Sequence, residues 1–96
     1  MSQSQELTKA RSLLSQVNSQ MKQGKFLPGL QALHDGLLIV MRTPLMKQEK
    51  EEFERLLDEI VYRIDTNKTF RKQVPIKISY EPGQEKKLYT TVKGLL

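Results

Sequence analysis

The chain has 96 residues, a formal net charge of +5, 38% hydrophobic residues and no cysteine. That length makes one domain with a modest core, and the missing cysteines exclude disulfides and thiolate metal sites, so a secreted, disulfide-stapled fold is not expected. The longest apolar run, residues 37–41, is far short of a membrane span, and residues 1–20 show no basic start followed by an apolar run, so a cytoplasmic protein with no membrane partner is expected.

The first element is a helix that follows polar residues 1–5. Leu7, Ala10, Leu14, Val17 and Met21 recur at alternating spacings of three and four, with Leu13 beside them, a narrow stripe for packing on one partner. Ser2 or Ser4 can cap its start. Lys22, Gln23 and Gly24 end it, with a cation in the last turn and a glycine just beyond. The short link Gly24-Lys25-Phe26 then predicts an antiparallel hairpin with the next helix.

Phe26 to Met41 is the most apolar stretch of the chain. Leu30, Leu33, Leu37 and Met41 share one helix face, and Leu27, Leu38, Ile39 and Val40 widen it until most sides are apolar. Such a helix is buried between neighbours, so helix two is expected at the centre with helices one and three against it. Pro28 suits a first turn. Gly29, Ala32 and Gly36 lie close to one side and form a shallow groove, for the close approach of another helix or for a partner.

Thr43-Pro44 reads as the start of helix three, a hydroxyl cap followed by proline, and the helix is expected to run from Pro44 to Asp65. Its apolar face is Phe53, Leu56, Leu57, Ile60, Val61 and Ile64, with Met46 further back. Glu51 with Arg55 and Glu59 with Arg63 are i,i+4 pairs on a solvated face. Asp65-Thr66-Asn67 closes the helix and leads into a short turn, Lys68 to Lys72, anchored by Phe70. Ile76, Ile78 and Tyr80 alternate with Lys77 and Ser79 in a period of two. With no convincing second strand, this reads as an extended connector before a last helix that starts at Pro82 and carries Leu88, Val92 and Leu95 on one face. The alternative is a hairpin onto residues 87–93 through Glu81-Pro82-Gly83-Gln84. The fold class is therefore all-α, a small bundle of four to five helices. The apolar ending Leu95-Leu96 either tucks into the core or marks the front part of a longer protein.

Candidate chemistry is sparse. His34, the single histidine, sits near the apolar face of helix two, while Asp35 is expected to point elsewhere; a structural histidine is the reading. No Gly-rich phosphate loop follows a strand, and the carboxylates of helix three lie on an exposed face. No catalytic residue, cofactor or metal site is assigned, and the chain is read as a non-enzyme. The basic excess sits in the last third: Lys68, Arg71, Lys72, Lys77, Lys86, Lys87 and Lys93, with Tyr80 and Tyr89 interleaved. That patch carries the alternative of a nucleic-acid-binding module, because clustered cations meet phosphates and exposed aromatics stack on bases.

The first hairpin resembles a tetratricopeptide repeat over residues 13–44. The resemblance rests on Gly24-Lys25-Phe26 at the turn between helices, then Gly29, Leu33 and Gly36 where the repeat keeps small, large and small residues. It departs at Gln16, Val17 and Gln20, and Thr43-Pro44 comes later than the repeat's closing proline. The resemblance implies a helical scaffold that binds peptides or protein partners. The expected function is accordingly a protein-interaction or scaffold module, the N-terminal domain of a bacterial regulatory protein, with another protein or a downstream domain as partner.

Overall fold

In the computed structural model, which describes the backbone of residues 2–96 and the side chains of residues 5–96, one face of helix α1 (Ser2–Lys22) is buried from Leu7 to Met21. Leu7, Ala10, Leu14, Val17 and Met21 are each at most 5% exposed, as the three–four spacing requires. The side chains of Ser2 and Ser4, the expected caps, lie outside the described side chains. The helix closes with a Schellman motif. Gly24, at φ +77°, donates its N–H to the Met21 carbonyl at 3.1 Å, and Lys25 donates to the Gln20 carbonyl at 2.9 Å. Glycine is needed there because a Cβ disfavours that backbone conformation.

This turn reverses the chain into α2 (Phe26–Arg42), which lies against α1. Leu33 and Leu37 are fully buried. The buried position at the end of the helix is Val40 rather than Met41, which is 38% exposed. The second neighbour of α2 is α5 (Glu85–Leu95), not α3. Helix α3 (Lys47–Asp65) packs on α1 instead. The α1 stripe therefore serves two partners, and α2 is sandwiched by α1 and α5. The reason is visible at the α2–α3 link. Thr43 ends α2 in an extended conformation, and α3 begins only at Lys47, beyond Pro44 and Leu45. The expected Thr43-Pro44 start is thus replaced by Met46, whose backbone N–H donates to Glu49 Oε1 at 2.9 Å. Four residues of link give α3 room to cross to α1.

On α3, Phe53, Leu57, Ile60, Val61 and Ile64 are buried and Leu56 is partly buried. Asn67 then caps α4 (Lys68–Gln73): its Oδ1 accepts the Phe70 N–H at 3.0 Å. Phe70 meets Phe26 edge to face, with ring centroids 5.3 Å apart, and so ties α4 to the start of α2.

No strand occurs among the described residues. The period of two in the connector survives as alternate burial: Ile78 and Tyr80 turn inward while Lys77 and Ser79 stay exposed. Ile76 departs from it at 55% exposure. Residues 81–84 form a turn in which the Gln84 N–H donates to the Glu81 carbonyl at 2.9 Å. Pro82 followed by Gly83 at φ +89° is a type II turn, with each residue in its favoured place. Helix α5 starts after this turn, at Glu85, three residues later than Pro82. Leu88 and Val92 bury its inner face and Leu95 is partly buried. No helix among the described residues is long and apolar enough to cross a membrane.

Candidate functional site

Because α3 follows α1 while α5 follows α2, a wedge is left between the end of α2 and the first half of α3. It is a cleft of about 350 Å³ lined by Val40, Met41, Leu45, Lys50, Phe53, Glu54, Gly83, Glu85 and Lys86. Each lining residue is placed by its element. Val40 and Met41 are the last apolar pair of α2, and Leu45 comes from the link. Lys50, Phe53 and Glu54 sit at i, i+3 and i+4 on α3 and so face the same way. Gly83, Glu85 and Lys86 belong to the type II turn and the first turn of α5.

The turn is fixed by one carboxylate. Glu85 Oε2 accepts the Tyr80 hydroxyl and, at 3.3 Å, the Gly83 N–H. Tyr80 is 9% exposed. Burial pushes its phenol far above the ordinary tyrosine value, helped by the hydrogen bond to Glu85 and by the negative charges of Glu85, Glu54 and Asp58. The opposite wall is fixed from α1. Arg11 donates to both oxygens of Glu52, Nε to Oε2 at 2.7 Å and Nη2 to Oε1 at 2.9 Å, and its guanidinium lies 5.4 Å from the Phe53 ring centroid. The hydrogen bond to Arg11 holds the Glu52 carboxyl below its ordinary value. Phe53, 1% exposed, thus lies between the core and Arg11 at the base of the cleft.

The cleft is chemically two-sided. Met41 and Leu45 provide its open apolar surface, with the buried Val40 and Phe53 beneath them, and Lys50, Lys86 and Glu54 provide charge at its edge. Among the described residues no carboxylate lies within ion-pair distance of Lys50 or Lys86. Such a surface can seat an apolar side chain and pair a charge beside it. No group of three or more metal-ligating side chains occurs among the described residues.

The residues singled out from the sequence fall elsewhere, with one exception. Gly29 and Gly36 face α1. A Cβ on Gly36 would stand 2.8 Å from Leu14 Cδ2, and one on Gly29 would stand 3.1 Å from Met21 Cε. Ala32 is buried at 6% exposure. This side of α2 is filled by α1 side chains and offers no open groove. Of the basic residues, Lys68, Arg71, Lys72, Lys77, Lys86, Lys87 and Lys93 are all exposed, spread over α4, the connector and α5. Arg71 turns back to Asp65, with Nη1 3.4 Å from Oδ1. Only Lys86 reaches the cleft. The interleaved aromatics are not open for base stacking: Tyr80 is buried, and Tyr89 stacks on His34 with centroids 4.8 Å apart.

His34 is the centre of a clasp between α2 and α5. Contrary to the expectation that Asp35 points away, its Oδ1 lies 2.9 Å from His34 Nδ1 and also accepts the Gln31 Nε2–H at 2.9 Å. Gln31, one turn earlier, draws the carboxylate back toward the helix N-terminus, and that brings it to the imidazole.

Lys50, Glu54, Met41 and Leu45 were not expected at a site. Their signal in the sequence is faint: the Thr43-Pro44 signal puts Leu45 inside helix three, and the spacing of Met41 puts it on the core face of helix two. Comparison of the chain with protein-family models, curated proteins and solved structures finds no match.

Proposed function

We propose that the protein is a non-enzymatic interaction module that binds another protein through the cleft between α2, α3 and the α5 turn. The observation that carries this reading is the pairing of an apolar floor with unpaired lysines at its edge. Partner anchors are commonly large apolar side chains held in a fixed pocket and ringed by polar groups. The floor is fixed by Arg11 and Phe53 on one side and by the Tyr80–Glu85 turn on the other. A preformed pocket loses less free energy to ordering when it binds. The tetratricopeptide-like hairpin of α1 and α2 belongs to the same proposal, as the scaffold that holds the cleft open, and so does a cytoplasmic setting, which the lack of cysteine suits.

A photo-crosslinking residue in place of Met41, exposed at the cleft edge, tests the reading in cells of the source. The expected result is one discrete protein adduct that is absent when the same residue replaces Lys9, exposed on α1. Equal adducts from both positions, or none from Met41 alongside turnover of a small molecule by the pure protein, would refute it.

A further inference from the structure

The charges around the cleft narrow the partner. Four ionisable side chains line it: Lys50, Glu54, Glu85 and Lys86. Their formal charges cancel, but their engagements differ. Glu85 is committed to the Tyr80 hydroxyl and the Gly83 N–H. Glu54 lies near enough to Tyr80 for its charge to act on the phenol. Glu54 forms no hydrogen bond or ion pair among the described residues, so with Glu85 committed the cleft holds two uncommitted ammoniums and one uncommitted carboxylate, a net positive charge. Two neighbouring carboxylates of α3 are occupied, Glu49 by the Met46 N–H and Glu52 by Arg11, while Glu51 is exposed to solvent. Lys50 and Lys86 are left on two different elements across the apolar floor, and no carboxylate of this chain engages them among the described residues. Lys86 also stands in the first turn of α5, where the helix dipole adds positive potential.

We propose that the cleft receives an acidic amphipathic peptide segment of a partner protein, with one large apolar side chain seated among Val40, Met41, Leu45 and Phe53 and a neighbouring carboxylate held by Lys50 and Lys86. The inference rests on the interaction reading above and adds the partner's chemistry. The apolar residue supplies affinity by leaving water. The carboxylate sets register and selects against basic segments, since like charges brought together at an interface are strongly disfavoured. Lysine suits this role because its ammonium is a flexible point charge that follows a carboxylate over several positions.

The experiment is selection of a displayed library of short random peptides on the full chain, followed by titration of the selected peptides into isotopically labelled protein. The expected peptides carry Asp or Glu within one helical turn of a large apolar residue. Their binding moves the amide signals of Met41, Leu45, Lys50, Phe53 and Lys86, and raising salt weakens it. Reversing both lysines, K50E with K86E, should reduce affinity for these peptides roughly tenfold or more and shift selection toward basic peptides. Both residues are exposed, so the fold should hold, and an unchanged helical circular dichroism spectrum with K50Q/K86Q as the milder pair verifies this.

Peptides that bind the cleft but are neutral or basic, or that ignore both lysine pairs, would overturn the acidic preference while the interaction reading stands. Peptides that shift signals only elsewhere, or no selected peptides at all, would overturn both. A concentration-dependent dimer that perturbs the same amides would identify a second copy as the occupant and overturn the proposal.

Discussion

Gly36 has no room for a methyl group. A Cβ there would lie 2.8 Å from Leu14 Cδ2 and 2.9 Å from Leu14 Cγ, and Leu14 is fully buried. The branch point of Leu14 cannot swing away as the end of a long chain can. Alanine would gain up to about 1 kcal/mol of helix propensity, but overpacking of this kind costs about 1–3 kcal/mol. G36A is therefore expected to lower stability on balance, by up to about 2 kcal/mol. G29A meets the flexible end of Met21 at 3.1 Å and should fall closer to neutral. G94A meets nothing within 4 Å on α5 and should stabilise by up to about 1 kcal/mol. Urea unfolding of the three variants gives the order Gly94→Ala above Gly29→Ala above Gly36→Ala, and a G36A at least as stable as the parent protein contradicts the packing of α1 on α2. The small residues were legible as a seam from the sequence. Which helix fills the seam was legible only through the short Gly24 turn.

Tyr80 makes a second prediction at this scale. Its phenol is raised above the ordinary tyrosine value, chiefly by burial. A raised acid favours the protonated form in the folded state, so its contribution is complete below the unfolded value near ~10. It is lost as pH rises beyond that, because the unfolded chain ionises first. Y80F removes this component, and the alkaline limb of its stability curve should be shallower than that of the parent protein. The same variant leaves Glu85 with only the Gly83 N–H, so it should also be less stable at neutral pH, by about 1–2 kcal/mol. An alkaline limb unchanged by Y80F would contradict the buried hydroxyl.

At the scale of elements, pattern gave existence and neighbours gave position. Leu7 through Met21 and Phe53 through Ile64 placed α1 and α3 because a 3.6-residue period needs only local sequence. Thr43-Pro44 carries a strong local start signal, yet the chain must first travel from α2 to α1, so α3 begins only at Lys47. The cap at Met46 is made by backbone and by Glu49, which a search for hydroxyl caps does not see. The ion pairs of α3 are legible only where they stay on the helix. Of the two expected i,i+4 pairs, Glu59 and Arg63 lie 3.5 Å apart, Glu51 and Arg55 form no ion pair among the described residues, and Glu52 crosses to Arg11 on another helix. Arg11 and Glu52 are 40% and 45% exposed, so the pair should stabilise by under about 1 kcal/mol in a double-mutant cycle. Glu52 is held low, so its contribution is full above the unfolded value near ~4.3 and is lost as pH falls through the lower folded value. R11Q should flatten that acid limb, and R11Q and E52Q should be non-additive with each other. Additive effects would show that the pair carries no coupling.

The cleft belongs to the whole molecule, and this is why its residues escaped a reading in chain order. Met41, Phe53 and Lys86 come from three elements whose meeting depends on α5 covering α2 while α3 covers α1. Helix α5 is thus both part of the core and a wall of the site. Leu88 and Val92 are at most 1% exposed, and Tyr89 stacks on His34 of α2. Replacing Leu88 by alanine should cost about 2–5 kcal/mol, a large share of the roughly 5–15 kcal/mol that holds a domain together. If α5 is one cooperative unit with α1–α3, L88A lowers the single unfolding midpoint, and circular dichroism and Phe or Tyr signals fall together. If α5 docks as a separate unit, the Tyr89 amide and the cleft amides lose hydrogen-exchange protection while Leu14 and Leu57 keep theirs. The cooperative outcome is expected, because the face of α2 that α5 covers has no other helix to bury it. It carries a corollary for function: L88A at a temperature where the protein remains folded should leave peptide binding intact, whereas the separate-unit outcome would abolish binding without unfolding the bundle.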